Sequence, residues 1–153
     1  MTFDELGVRD DLLRGIADMG FETPMPVQEK VIPLLLHGDR DLVALAQTGT
    51  GKTAAFGLPV LQRVDAERHV PQALILAPTR ELCLQIAGDL ADFSKYMDDV
   101  KVLPVYGGSS IESQIRALKQ GVQIIVATPG RPIDLIGRGV VKLDDVHTVA
   151  LDE

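Results

Sequence analysis

The sequence holds a single cysteine, Cys83, so no intrachain disulfide can form and nothing in it requires an oxidising compartment. It has no apolar run near the roughly 20 residues that a membrane-spanning helix needs. The opening Met1-Thr2-Phe3-Asp4-Glu5 lacks the basic and apolar regions of a secretory signal, and the expected location is the cytosol. No internal repeat, low-complexity tract or Ser/Gly/Pro-rich linker is present. An excess of basic charge is also missing: 15 Lys and Arg stand against 22 Asp and Glu, for a net charge of −7. Nucleic-acid binding is usually announced by a basic balance, because neutralised phosphates release counterions. Composition alone therefore argues against such a partner, and any case for one must rest on local motifs.

What is there is a globular pattern. The 153 residues suffice for one domain with a hydrophobic core, and 46% are hydrophobic against 24% charged. Short apolar runs at Asp41–Ala46, Ala73–Ala77, Val100–Val105, Val122–Ala127 and His147–Leu151 alternate with helical patterns. Most are rich in Val, Ile or Leu, as strands buried on both faces should be. Between them, Leu82, Ile86, Leu90 and Phe93 fall on one helical stripe, with Asp89 and Asp92 off it. A further helix is predicted over Ile111–Lys119, with Ser109 or Ser110 as its N-cap and Gly121 just past its end. Strand–helix alternation of this kind implies an α/β fold: a mostly parallel sheet covered by helices on both faces. Ligands in such sheets sit at the carboxyl ends of the strands.

At one such end stands Ala46-Gln47-Thr48-Gly49-Thr50-Gly51-Lys52-Thr53, after the first predicted strand and opening a helix near Lys52. Each residue type has a chemical reason to be there. Gly49 and Gly51 let the backbone turn tightly and aim N–H groups at phosphate oxygens, and the helix start adds partial positive charge. Lys52 has the length and charge to reach the β- and γ-phosphates, and the Thr53 hydroxyl suits Mg²⁺. Ala46 replaces the first glycine of the general phosphate-loop pattern. The alternative is a Gly-rich turn that carries Lys and Thr by chance, but the strand before it and helix after it favour a nucleotide loop. Late in the chain, the apolar Val149-Ala150-Leu151 delivers Asp152-Glu153. A carboxylate at a strand tip near the phosphate loop would hold Mg²⁺, and an adjacent Glu would orient or deprotonate water.

These residues resemble the DEAD-box RNA helicases, and the resemblance runs from Phe3 to Glu153. Gly20-Phe21-Glu22-Thr23-Pro24-Met25-Pro26-Val27-Gln28 looks like the family's adenine-recognising Q motif, with Phe3 as its isolated upstream aromatic. Ala46–Thr53 matches motif I. Pro78-Thr79-Arg80-Glu81-Leu82 matches motif Ia, the Gly107-Gly108 pair follows, and Thr128-Pro129-Gly130-Arg131 matches motif Ib. Asp152-Glu153 is similar to the first half of the Asp-Glu-Ala-Asp box. One such motif is weak; the whole set in the family's order is highly specific.

The resemblance implies a RecA-like fold, with residues 1–153 as the front part of the first helicase domain and the Q motif within 1–28. It implies ATP and Mg²⁺ as cofactors and RNA as partner, with no membrane. Phe21 would stack on adenine, Thr23 would line the same site, and Gln28 would hydrogen-bond the adenine edge, since an amide both donates and accepts. Alone, Phe21 reads as a core aromatic and Gln28 as an exposed helix residue. Lys52, Asp152 and Glu153 would carry the chemistry, with Thr53 and Asp152 holding Mg²⁺, partly through water. Pro78, Thr79, Arg80, Gly107, Gly108, Thr128, Pro129, Gly130 and Arg131 would grip the backbone of one RNA strand. Contacts of that kind read no bases and would work on an acidic domain. Alone, Thr79 and Thr128 read as plain helix N-caps and the arginines as solvated.

The sequence departs from the family pattern in places. Met25 stands where the family usually has Thr. If Pro26 opens a helix over Pro26–Leu36, residue 25 is its N-cap, and losing a Thr cap costs about 1 kcal/mol. Pro132 stands where an aliphatic residue is usual. With Thr128 as the cap, Pro132 would remove the first intrahelical hydrogen bond and push Arg131 toward extended geometry. The rest of the box and the family's second RecA-like domain, whose arginines complete the ATP site, are not in the sequence, so the expectation is that these residues alone are inactive. The leading expectation for the intact protein is an RNA-stimulated ATPase that unwinds or remodels RNA duplexes. An ATP-gated RNA clamp is the second reading, and an unrelated phosphate-loop ATPase or DNA helicase the third.

Overall fold

The computed structural model describes residues 1–38, 51–108 and 110–151. The first predicted strand, most of the phosphate loop, Ser109 and Asp152-Glu153 lie outside the described residues. The chain divides into two units, Met1–Arg63 with Asp92–Asp98, and Val64–Ala91 with Asp99–Glu153.

The first unit is helical where it is described. It contains α1 (Asp10–Asp18), α2 (Pro26–His37) and α3 (Lys52–Arg63). Leu12 and Ile16, one turn apart on α1, are buried, as are Val31 and Ile32 of α2 and Ala54, Leu58 and Leu61 of α3. Gly15 lies on the buried side of α1, and a Cβ there would stand 2.2 Å from the backbone oxygen of Phe93. Only glycine permits that approach. Gln62 ties the N-terminal turn to α3, accepting from Arg9 N at 3.1 Å and donating to Gly7 O at 3.0 Å.

In the second unit β1 (Ala73–Leu76), β2 (Val102–Val105), β3 (Ile124–Ala127) and β4 (Thr148–Leu151) form a parallel sheet in the order β2-β3-β1-β4. The connections include α4 (Arg80–Phe93), whose last residues Asp92 and Phe93 belong to the first unit, α5 (Ile111–Gln120) and α6 (Gly130–Gly137). All four strands fall inside the apolar runs of the sequence. Only β3 is buried along its whole length; β4 alternates half-buried and exposed residues, so continuous burial does not extend to it. β4 is an end strand of the described sheet, which leaves Val149 and Leu151 exposed. β2 is the opposite end strand, where Pro104 forfeits no interior ladder bond.

The register aligns the carboxyl ends of three strands. Ala127 pairs with both Leu76 and Val105, so β1, β3 and β2 end side by side. Two buried glutamines fix the loops at the opposite ends. Gln72 accepts from Asp65 N at 2.8 Å and donates to Asp65 O and Arg68 O. Gln123 accepts from Lys101 N at 2.9 Å and donates to Asp99 O at 2.8 Å. Every buried polar side-chain atom among the described residues has a partner.

Candidate nucleotide and RNA sites

The residues expected to read the base stand in the first unit. Phe21 is half-buried, its ring 6.1 Å from that of Phe3 and 5.9 Å from that of Phe93, the latter edge-on. Thr23 is exposed. Met25 is the N-cap of α2, in extended geometry and with no side-chain cap bond, as expected from its lack of an oxygen. Gln28 supplies a substitute: its Oε1 accepts from Met25 N at 2.9 Å, the return half of a capping box.

Gln28 is 1% exposed, so it is not the surface helix residue that its position alone implied. Its Nε2 donates to Gly51 O at 3.1 Å. That same carbonyl accepts from Ala55 N at 3.2 Å at the start of α3. Gly51 has φ +81°, and a Cβ there would stand 2.3 Å from Gln28 Nε2, so both backbone geometry and space reserve the position for glycine. The final glycine of the predicted phosphate loop is thus joined to the helix of the predicted Q motif through one buried amide. Lys52 and Thr53 open α3, both half-buried. The backbone here fits a phosphate group: a glycine with no room for a side chain leads into a helix N-terminus. Thr53 offers a hydroxyl of the kind Mg²⁺ accepts. Asp152, the other expected ligand, lies outside the described residues, as do Ala46–Thr50 and Glu153. Among the described residues no cluster of three His, Cys, Asp or Glu side chains forms a metal site.

The residues expected to grip RNA stand in the second unit, where the aligned ends of β1, β3 and β2 deliver them. Pro78, Thr79 and Arg80 follow β1 and are exposed. Thr79 caps α4, its Oγ1 accepting from Leu82 N at 3.2 Å. The Arg80 guanidinium lies over the Tyr106 ring, 5.0 Å from its centroid. Gly107 and Gly108, after β2, are exposed in a turn. Beyond them in the chain, Glu112 stands in the first turn of α5. Its own backbone N–H, and then the Ser110 hydroxyl at 3.1 Å, hold its carboxyl below the usual range. Ser110, not Ser109, caps α5, accepting from Ser113 N at 3.4 Å.

Thr128 follows β3, its N–H donating to Val105 O at 3.1 Å, and it does not cap the next helix. Pro129 is the N-cap of α6, so Gly130, Arg131 and Pro132 are its first three residues. The expectation for Pro132 is therefore corrected. At the third helical position its missing N–H has no partner to lose, and Arg131 is helical rather than extended. Pro132 is buried and helps line a small apolar cavity with Leu74, Val105, Ile125 and Leu135. Arg131 is half-buried, and its Nη1 donates to Gln114 Oε1 at 3.2 Å. Gln114, 4% exposed, donates in turn to Tyr106 O at 3.2 Å. Neither Tyr106 nor Gln114 was foreseen from the sequence. No motif marks them, and their roles exist only once β2, α5 and α6 are folded together.

The family model for DEAD/DEAH box helicases matches residues 25–153. The chain belongs to the DEAD/DEAH box helicase family. It is 50% identical over 152 residues to the ATP-dependent RNA helicase DeaD of Escherichia coli K12, covering 99% of this chain and 24% of that protein. It is 51% identical over 152 residues to the DEAD-box ATP-dependent RNA helicase CshA of Geobacillus kaustophilus, covering 99% of this chain and 32% of that protein. The chain thus spans 24% to 32% of the length of these curated relatives. Among solved structures, a DEAD box protein of Methanococcus jannaschii superposes with a TM-score of 0.94 at 42% identity, covering all of this chain and 41% of that one. Saccharomyces cerevisiae Dbp5 bound to RNA and ADP BeF3 superposes at 0.89 with 39% identity, covering 99% of this chain and 38% of that one. These neighbours identify the fold as the DEAD-box RecA-like α/β fold, with its parallel sheet.

Proposed function

We propose that this chain is the part of an ATP-dependent RNA helicase that binds ATP and grips one RNA strand. The observation that carries the reading is the Gln28 amide on Gly51 O. It makes the predicted adenine reader and the predicted phosphate loop one built unit rather than two motifs that share a sequence. The relatives named ATP-dependent RNA helicases, and Dbp5 bound to RNA and ADP BeF3, support the same assignment.

In this reading Phe21 and Thr23 line the adenine pocket and Gln28 selects the base. Its amide carries two N–H donors and two lone pairs, so the bonds to Gly51 and Met25 leave one of each for adenine. Ala46, Gln47, Thr48, Gly49, Thr50 and Gly51 wrap the phosphates with backbone N–H groups, and Lys52 adds charge at the β- and γ-phosphates. Bound Mg²⁺ would neutralise phosphate charge beside Thr53 and Asp152. Glu153 orients or deprotonates the attacking water. Thr79, Arg80, Gly107, Gly108, Thr128, Gly130 and Arg131 hold RNA phosphates and sugars, with Pro78 and Pro129 shaping the turns. Such contacts carry no base information, so binding is independent of sequence. In this reading the activity belongs to the cytosol. No helix among the described residues is long and apolar enough to cross a membrane.

The test is strand separation. The intact protein with ATP and Mg²⁺ should separate a short RNA duplex, and Lys52→Ala should not. Separation by both proteins alike, or by neither under conditions where the duplex is bound, would overturn the reading.

A further inference from the structure

The RNA-facing turns are held to one another by two side chains that belong to none of the motifs. Gln114 stands in the middle of α5, 4% exposed, with both ends of its amide engaged. Its Oε1 accepts from Arg131 Nη1 at 3.2 Å, and its Nε2 donates to Tyr106 O at 3.2 Å, the carbonyl just ahead of Gly107-Gly108. The Tyr106 ring lies under the Arg80 guanidinium, 5.0 Å away. Arg80, the glycine turn and Arg131 come from the ends of three different strands. A single continuous path, Arg80 to Tyr106 to Gln114 to Arg131, connects them.

We propose that Gln114 is the positioning residue that presets the RNA grip, with Tyr106 as its extension to Arg80. The proposal rests on the reading that Arg80, Gly107-Gly108 and Arg131 hold an RNA backbone. The physical reason is preorganisation. A nucleic-acid strand offers phosphates at fixed intervals, and donors from separate turns match them only if their mutual spacing is set beforehand. A long arginine that is free in the unbound protein loses rotamer freedom on binding; one already oriented by a buried amide loses less. A glutamine suits the task because it accepts from a guanidinium and donates to a carbonyl at once. Gln114 is 4% exposed and both ends of its amide are engaged within the protein, so it acts on RNA only through Arg131 and the turn.

The experiment uses the intact protein with ADP–beryllium fluoride and measures binding of fluorescein-labelled oligouridine by anisotropy. Gln114→Met keeps chain length and volume but removes both polar ends. Gln114→Glu keeps an acceptor for Arg131, loses the donor to Tyr106 O, and sets a carboxylate in competition with RNA phosphate for the arginine. Each should weaken RNA binding about three- to tenfold, the scale of ordering one or two side chains, while ADP affinity stays as in the parent. Arg131→Ala should weaken binding as well, and adding Gln114→Met to it should cost little more, because the two act as one unit. A merely structural glutamine would lower the thermal midpoint without that non-additivity. RNA affinity unchanged in whichever Gln114 variant folds would overturn the proposal, as would a full multiplicative loss in the double variant. If neither Arg80→Ala nor Arg131→Ala alters RNA affinity, the RNA-surface reading itself has failed. If the arginine variants weaken binding and the Gln114 variants do not, only the positioning role has.

Discussion

Replacing Gln28 should damage stability as well as base selection, because its amide is part of the structure of the first unit. Gln28→Met keeps the buried volume but removes the acceptor for Met25 N and the donor to Gly51 O. A net intramolecular hydrogen bond contributes about 0.5–1.5 kcal/mol, so two give about 1–3 kcal/mol. The lower half of that range applies to the Met25 N–H, since Met25 is exposed and water can replace the lost acceptor. The upper half applies to Gly51 O, whose partner is 1% exposed. A total of about 2 kcal/mol lowers the midpoint of a domain this size by about 4–8 °C. Gln28→Ala should cost more, because a cavity adds to the lost bonds. The assay is thermal unfolding followed by circular dichroism, paired with calorimetric titration of ADP and GDP into the same samples. The unmutated chain should favour ADP, and both variants should lose most of that preference. A midpoint within about 1 °C of the parent in Gln28→Met would refute the structural role assigned to the amide. Equal affinity of the unmutated chain for ADP and GDP would refute the adenine reading.

Other expectations follow from the same sites. Lys52→Ala should weaken nucleotide binding about ten- to a hundredfold, since a charge-assisted hydrogen bond is worth about 1.5–3 kcal/mol, and calorimetry showing unchanged affinity would rule out its phosphate role. In the intact protein, Glu153→Gln should still bind ATP while turnover falls about 10²–10⁴-fold, the contribution of a general base; steady-state rates near the parent value would remove Glu153 from that role. Cys83 is buried and its Sγ donates to Val126 O at 3.1 Å, and burial pushes its thiol pKa up. Alkylation by iodoacetamide at pH 8, followed by mass spectrometry, should therefore be far slower in the folded chain than in urea. Equal rates would mean that β3 and α4 do not stay packed.

Much of this architecture is legible in the sequence because its signals are local. The runs that became β1, β2, β3 and β4 are short and apolar with polar punctuation, and the structure trims them by one or two residues at their ends. Ser110 and Gly121 mark the limits of α5 through chemistry that a single residue carries. α1 was not foreseen: it is short, with Asp10, Asp11, Arg14 and Asp18 outnumbering the Leu12 and Ile16 pair that it buries. Pro132 misled because its effect depends on where the helix starts, and a shift of the cap from Thr128 to Pro129 turns a helix breaker into a tolerated first-turn residue. The motif residues stand out as candidates because their chemistry is written in type and spacing. Gln114 and Tyr106 were not, since a buried amide 17 residues from its arginine is defined only by the packing of α5 against neighbouring segments. Gln28 lay between these cases. Its motif named a base reader, while its bond to a residue 23 positions away needed the fold.

The decisive measurement is ATP hydrolysis by the intact protein, alone, with single-stranded RNA, and with DNA of the same sequence. Turnover should be slow without nucleic acid, strongly stimulated by RNA, little by DNA, and absent throughout in Lys52→Ala. Turnover that DNA stimulates as well as RNA, or that RNA leaves unchanged, would contradict the proposed function.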